Sequence, residues 1–514
     1  MLKGILTVGG WTMGSRILGF IRDMLMAALI GAGPLGDAFV VANRLPNMFR
    51  SLFGEGAFNS AFVPEFSALL GKSGPEAARR FAEQVFGVMT FWLLGLTFLA
   101  ELGMPAIVAV LQIGSLDAPE HRALVVELAR ITFPYMPLIC LTALLSGVLN
   151  GLDRFAAAAA APIIYNLTSM AFMIGLIGLV PTRAHAMAWG VSASGVFQLA
   201  LVGWATWRAG MALHLVRPRM SPEVKTLLRR MAPGVLAAGV TQINLSIDVI
   251  IASFLPTGTQ SALYYASRLN QLPLGIIGVA IGTAMLPGLS RQVVAGQLEQ
   301  SRTTLNRALE YAMVLTLPAT LALATVPLPM MMVLFERGAF DHHAAIVSAQ
   351  TLRAYAVGLP AWVLVKVLTP ALFARGDTRT PMRIGLFSVG LNIVLNLLFM
   401  QPLQNMGPAL AGSLAAWFNV VALLVVLSRR GFFVADAPLR RHVPRMAMAS
   451  IAMVAALLAL QPVVFDGAVG IWRYAGLGAL VCGGALIYGV VGEAIGAFHL
   501  RDLARSLRRR PRTA

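Results

Sequence analysis

Apolar residues run through this chain in blocks of about 20 or more, separated by short polar stretches rich in arginine. A block of that length is what an α-helix needs to cross the hydrocarbon core of a bilayer. Fourteen such blocks lie at roughly 5–31, 37–70, 81–112, 124–150, 157–180, 185–207, 232–256, 261–290, 308–335, 345–374, 381–401, 408–428, 444–463 and 471–497. The pattern predicts an all-α polytopic membrane protein with fourteen transmembrane helices, because only helices or closed barrels satisfy their backbone in lipid. Several blocks exceed a straight span. These hold Gly19, Pro46, Pro105, Pro134, Pro137, Pro273 and Pro360, where broken or tilted helices are expected. For any single one the plainer reading is that Gly and Pro are common in membrane helices. The N-terminal run reads as an uncleaved first span.

The pattern also repeats. Ala42-Asn43-Arg44-Leu45 matches Ala266-Ser267-Arg268-Leu269 at an offset of 224, as do Gly54 with Gly278 and Asp153 with Asp377. Pro64 with Pro287 and Ser67 with Ser290 stand at 223, and Gly190 with Gly412 at 222. Six helices then match six. An even number of spans per unit inserts both with one orientation, so the units should be related by a pseudo-twofold axis along the membrane normal, with a cavity between them. The expected organisation is an N-terminal lobe over 1–225, a second over 226–435, and an addition over 436–514 holding helices 13 and 14 and a basic tail.

Composition sharpens the picture. Of the 514 residues, 58% are hydrophobic and only 12% charged, against about 25% charged in soluble domains. Too few charges remain to cover a water-exposed surface, which excludes a soluble enzyme, a coiled coil and a disordered chain. The two cysteines, Cys140 and Cys482, lie in apolar runs and imply no disulfide framework. The net charge of +18 would suggest nucleic acid in a soluble protein. Here most of it sorts by loop. With the N-terminus inside, cytoplasmic loops hold 27 Lys and Arg and outer loops hold 4, which places both termini in the cytoplasm. The tail run Arg508-Arg509-Arg510 then reads as a topology and lipid anchor.

Nine basic residues remain. Lys3 is at an edge; Arg16, Arg22, Arg44, Arg50, Arg130, Arg268, Arg353 and Lys366 lie in or near spans. An arginine at a helix centre costs roughly 2.5–3.5 kcal/mol on insertion scales, so these must face water, acids or a ligand. Along the first two helices the acids are Asp23, Asp37, Glu55 and Glu65, of which Asp37 and Glu65 sit near helix ends. Arg16, Gly19 and Asp23 share a face, as do Asn43, Asn47 and Arg50. For Arg22 with Asp23, and for Arg353, a structural ion pair is the preferred reading. For Arg16, Arg50 and Arg268 a net-positive cavity is preferred, because guanidinium offers a fork of donors suited to phosphate. Asp248, inside Asn244-Leu245-Ser246-Ile247-Asp248, is a lone intramembrane carboxylate. It is either a cation or proton site, with Asn392 and Asn396 as further oxygen donors, or a structural acid.

The stretch Ser15-Arg16-Ile17-Leu18-Gly19-Phe20-Ile21-Arg22-Asp23 resembles the first helix of the MurJ/MviN family of lipid II flippases. So do Asp37-Ala38-Phe39, Arg44-Leu45-Pro46-Asn47, Gly54-Glu55-Gly56-Ala57-Phe58, Ala61-Phe62-Val63-Pro64, Tyr264-Tyr265-Ala266-Ser267-Arg268-Leu269, Leu359-Pro360, Lys366-Val367-Leu368 and Asp377-Thr378-Arg379-Thr380-Pro381. The resemblance covers essentially the whole chain. It implies a multidrug/oligosaccharidyl-lipid/polysaccharide (MOP) exporter fold, alternating access and an electropositive cavity. Arg16, Arg22, Arg50 and Arg268 fall on positions that the family uses for the lipid-linked diphosphate, with Ser15, Asp23, Asp37, Asn47 and Glu55 supporting. Helices 13 and 14 would form a groove for the polyprenyl tail, and Asp248 matches an acid implicated in cation binding. Ser267 departs from the family, which commonly carries an acid there, and leaves Arg268 less neutralised.

The expected function is therefore translocation of an undecaprenyl-diphosphate-linked peptidoglycan precursor, lipid II, from the cytoplasmic to the outer leaflet of a bacterial inner membrane. No bond-breaking chemistry and no cofactor are called for, beyond a Na⁺ or H⁺ coupling ion. Lipid II and membrane lipids are the expected partners, nucleic acid is not, and a monomer is expected. The alternatives are an O-antigen or polysaccharide-lipid flippase and a cation-coupled exporter of the same fold. An intramembrane enzyme would need clustered acids and usually a large loop. The loop near 208–231 is basic, and the histidines give no ligand spacing beyond His342-His343.

Overall fold

The computed structural model describes residues 2–54, 57–115, 117–465 and 470–498. Among these the chain is all-helical, with one isolated bridge between Arg337 and Phe340 in place of any strand. Among the described residues nine helical stretches are long and apolar enough to cross a membrane, and two of them, of 54 and 51 residues, have length for two crossings each. The chain divides into two compact units: residues 1–261 with 337–341, and residues 262–336 with 342–514.

The first unit contains α1 (Leu2–Ile30), α2 (Pro34–Gly54), α3 (Ala57–Leu111), α4 (Pro119–Thr132), α5 (Tyr135–Gly151), α6 (Ala156–Gly175), α7 (Arg183–Arg208) and α8 (Pro222–Ala252). Helix α3 is two arms joined at Gly74, whose φ of 81° and ψ of 176° suit glycine. Its arms close on a phenylalanine stack in which Phe62 lies 5.0 Å from Phe58, 5.7 Å from Phe66 and 5.6 Å from Phe81. Leu144 and Val148 of α5 and Leu227 of α8 complete this core. Helix α1 packs on α6, α2 on α4 and α5, and α8 on α3 and α2. The internal repeat places α8 at the head of the second half, yet its packing lies in the first unit. Ser221 caps it by accepting from the Val224 amide, with Pro222 in its first turn.

The second unit holds α9 (Thr259–Pro273) from Ala262 onward, α10 (Val279–Val294), α11 (Leu298–Thr325), α12 (Pro327–Phe335), α13 (His342–Phe373), α14 (Arg379–Leu403), α15 (Gly407–Arg429), α16 (Ala437–Val464) and α17 (Ile471–Ala494). A π-turn over Leu274–Gly278 follows Pro273, and α4 gives way to α5 at Pro134. Pro46, Pro105 and Pro360 instead stay inside continuous helices. Helix α13 packs on α11, α12 and α15, while α16 packs on α11 and α17. Met446, Met453, Leu457, Leu480 and Tyr488 bind that last pair to Val314 and Val333.

Candidate anion-binding site

Helix α1 carries Ser15, Arg16, Arg22 and Asp23, and each finds a different environment. The Ser15 carbonyl accepts from Asn166 Nδ2 at 3.0 Å, which fixes α1 against α6. Arg22 and Asp23 form an ion pair of 2.7 Å, with side chains 12% and 4% exposed, so that this cation is largely neutralised. The Arg22 guanidinium also lies over the Tyr165 ring at 5.1 Å, a favourable contact with the ring's negative face. Arg16 is exposed, and its side chain makes no hydrogen bond or ion pair with another described residue.

Helix α2 carries Asp37, Asn47 and Arg50. Asn47 donates to the Asn43 carbonyl at 2.8 Å and accepts from Arg50 Nε at 3.2 Å, so the amide orients the guanidinium one turn away. Both Arg50 and Arg22 lie near enough to Tyr135 to act on it electrostatically, and the Tyr135 ring is 5.5 Å from that of Tyr165. The structure thus brings Arg22 and Arg50 around one pair of tyrosines. Asp37 is buried and accepts from the Gly258 amide at 2.6 Å and from the Ser261 amide and hydroxyl at 2.8 and 2.7 Å. Its charge is absorbed by the N-terminal turn of α9. Arg44 donates to the Leu245 carbonyl of α8 at 3.1 Å. Glu55 lies outside the described residues.

Arg268, in the second unit, is half-buried, with its guanidinium 4.6 Å over the Tyr264 ring and Nη2 donating to the Tyr264 hydroxyl at 2.8 Å. Ser267 turns back to the Tyr264 carbonyl at 2.8 Å. Asp248 is half-buried on α8 in the first unit. Asn392 and Asn396 are buried on α14 in the second, where Asn396 Nδ2 donates to the Asn392 carbonyl and side-chain oxygens at 3.0 and 3.1 Å. The tyrosine platforms were not read from the sequence. Tyr264 was legible at i−4 from Arg268; Tyr165 reaches Arg22 only through the packing of α6 on α1.

Long apolar helices carrying half-buried guanidinium groups define a multi-pass membrane protein. In shape the chain follows a solved lipid II flippase MurJ in an inward closed conformation, with a TM-score of 0.79 and 24% identity over 98% of this chain and 100% of that one. It also follows an inward-facing multidrug resistance MATE family transporter of the MOP superfamily, with a TM-score of 0.65 and 16% identity over 81% of this chain and 94% of that one. The chain belongs to the lipid II flippase MurJ family, whose family model matches residues 26–475. A probable lipid II flippase MurJ from Rhizobium tropici is 41% identical over 99% of this chain and 97% of its own length. The lipid II flippase MurJ from Burkholderia cenocepacia is 32% identical over 84% and 85%. This is a transporter family, not a family of catalytic enzymes, and its members are multi-pass proteins of the bacterial inner membrane.

Proposed function

We propose that this flippase moves lipid II to the outer leaflet by holding the diphosphate on Arg16, Arg50 and Arg268, with Arg22 in support. The observation that carries this reading is an exposed guanidinium on an apolar helix, that of Arg16, with no hydrogen bond or ion pair to another described residue. Asp23 pairs with Arg22 and Asp37 accepts from the 258–261 backbone, while Arg16 has no acid partner among the described residues. A diphosphate supplies the missing negative charge and accepts the planar donor forks. The sugars and peptide travel in a wet cavity, and the polyprenyl tail stays in lipid, guided by α16 and α17.

In this reading the chain makes fourteen crossings with both termini cytoplasmic. Residues 1–225 and 226–435 form two six-helix lobes, 436–514 is an addition, and the protein works as a monomer by alternating access. Ser15, Asn47 and Glu55 support the cavity. Asp248 holds the coupling ion, Na⁺ or H⁺, with Asn392 and Asn396 contributing oxygens. The membrane potential adds about 2.3 kcal/mol per charge per 100 mV. No bond is broken. The relatives' names favour lipid II over an O-antigen lipid or a drug as cargo.

Arg268→Ala is expected to abolish rescue of a flippase-depleted strain while the protein stays in the membrane at its normal level. Normal growth support by that variant would contradict the site.

A further inference from the structure

Arg130 is an intramembrane cation that the diphosphate site does not use. It lines an open groove of about 560 Å³ between α3 and α4, whose walls include Pro105 and Val108 of α3 and Arg122, Val126, Glu127 and Arg130 of α4. The opposite face of α4, with Val125, Leu128, Ala129 and Thr132, is buried, and α4 packs on α2 and α7. The charged face therefore points away from the protein core.

The chemistry of this groove is unfinished. Neither the Arg122 nor the Arg130 side chain makes a hydrogen bond or ion pair with another described residue, although Arg130 acts electrostatically on Glu101 of α3. Glu101 Oε1 is buried with no hydrogen-bond partner. Glu127 lies 3.2 Å from His185 Nε2 through one oxygen and remains 59% exposed. Arg122 and Arg130 stand eight residues apart, about 12 Å along the helix, a gap that two long side chains can close from either end. On α3, Phe98 and Leu102 precede Pro105 by seven and three residues, so they continue the same face. Both are strongly exposed, as a lipid-facing surface is.

Arginines facing a bilayer with no hydrogen-bonded partner among the described residues are costly, and a groove with cations and carboxylates beside an apolar track matches one abundant kind of neighbour. We infer that the α3–α4 groove binds a diacyl phospholipid whose headgroup carries both a phosphate and a primary ammonium. The phosphate oxygens accept from Arg122 and Arg130, the ammonium donates to Glu127, and an acyl chain lies along Phe98 and Leu102. Such a lipid braces α4 from outside. Its inner side reaches α2, where Phe133, next to the end of α4, meets Phe49 edge-on at 5.8 Å, one residue from Arg50.

The test is native mass spectrometry of the full-length protein released from detergent, offered phosphatidylethanolamine, phosphatidylglycerol and phosphatidylcholine with identical chains. The wild type should retain one phosphatidylethanolamine in preference to the other two. Arg122→Ala with Arg130→Ala should weaken that retention roughly tenfold or more, the worth of at least one charge-assisted hydrogen bond. Glu127 is exposed, so Glu127→Gln should fold normally and lose the preference for phosphatidylethanolamine over phosphatidylglycerol. Equal retention of all three lipids by the wild type, or an unchanged preference in Glu127→Gln, overturns the assignment. Full retention by the double variant does so too. Lipid retention is read without transport, so this outcome is independent of the diphosphate site.

Discussion

At the scale of single residues, the arginines in apolar helices differ in how far they are neutralised. Arg22 has Asp23, Arg44 has a carbonyl of α8, and Arg268 has the ring and hydroxyl of Tyr264. Arg16 has no described partner. Which arginines are awkward in lipid was legible from hydropathy alone, and the shared face of Asn47 and Arg50 followed from helical spacing. Partners from distant helices were not legible, because Tyr165 and Leu245 meet α1 and α2 only through tertiary packing. The same holds for Asp37, a carboxylate at a helix start that closes on backbone amides over two hundred residues away in sequence. Asp248 carries its own prediction. Asp248→Asn removes the charge but keeps the shape, so transport should lose its dependence on Na⁺ or pH if the coupling ion binds there. An Asp248→Asn variant whose transport responds to Na⁺, pH and potential just as the wild type does would exclude Asp248 from coupling.

At the scale of elements, proline was a weaker guide to breaks than its chemistry suggests. A proline removes one donor and crowds the preceding turn, and the helix ends only where a loop or π-turn takes up the freed groups, as at Pro134 and Pro273. Close helix approach was partly written in the sequence. Gly278 and Gly282 have the small-xxx-small spacing of membrane helix contacts, and a Cβ on Gly282 would come within 2.6 Å of the Lys366 carbonyl on α13. The motif Asp377-Thr378-Arg379-Thr380-Pro381 starts α14. Asp377 accepts from the Thr380 amide at 2.9 Å and the Thr380 hydroxyl at 2.6 Å, and Arg430 from the end of α15 pairs with it at 2.5 Å. The Thr380 hydroxyl, then Arg430, then the Thr380 amide hold the Asp377 carboxyl well below the usual carboxylate range. A depressed folded-state pKa contributes stability that is fully present above the unfolded value, about 3.9, and that is lost as pH falls through the folded value. Asp377→Ala should therefore destabilise the purified protein at pH 7 by about 0.5–2 kcal/mol, as a lost cap does, and so lower its melting temperature. The gap to wild type should narrow as pH falls below about 4. A gap that is constant down to pH 3 would contradict this assignment.

At the scale of the whole molecule, the length of the apolar blocks and the sparse charge were enough to define a helical membrane protein. The offset near 224 suggests two related halves. By contact, α8 belongs to the first compact unit, although the repeat would set it at the head of the second half. Sequence similarity between repeats records common ancestry of segments, whereas packing is decided by which apolar faces bury each other. In the proposed topology most of the +18 charge lies in cytoplasmic loops. The remainder, guanidinium groups on apolar helices such as the exposed Arg16, is what the proposed anionic cargo would complete. That claim is tested most directly by lipid II accessible from outside a flippase-depleted cell. Wild-type protein should restore it, and a variant with Arg16, Arg50 and Arg268 all changed to alanine, present in the membrane at equal level, should not. Full restoration of external lipid II by that variant would contradict the account.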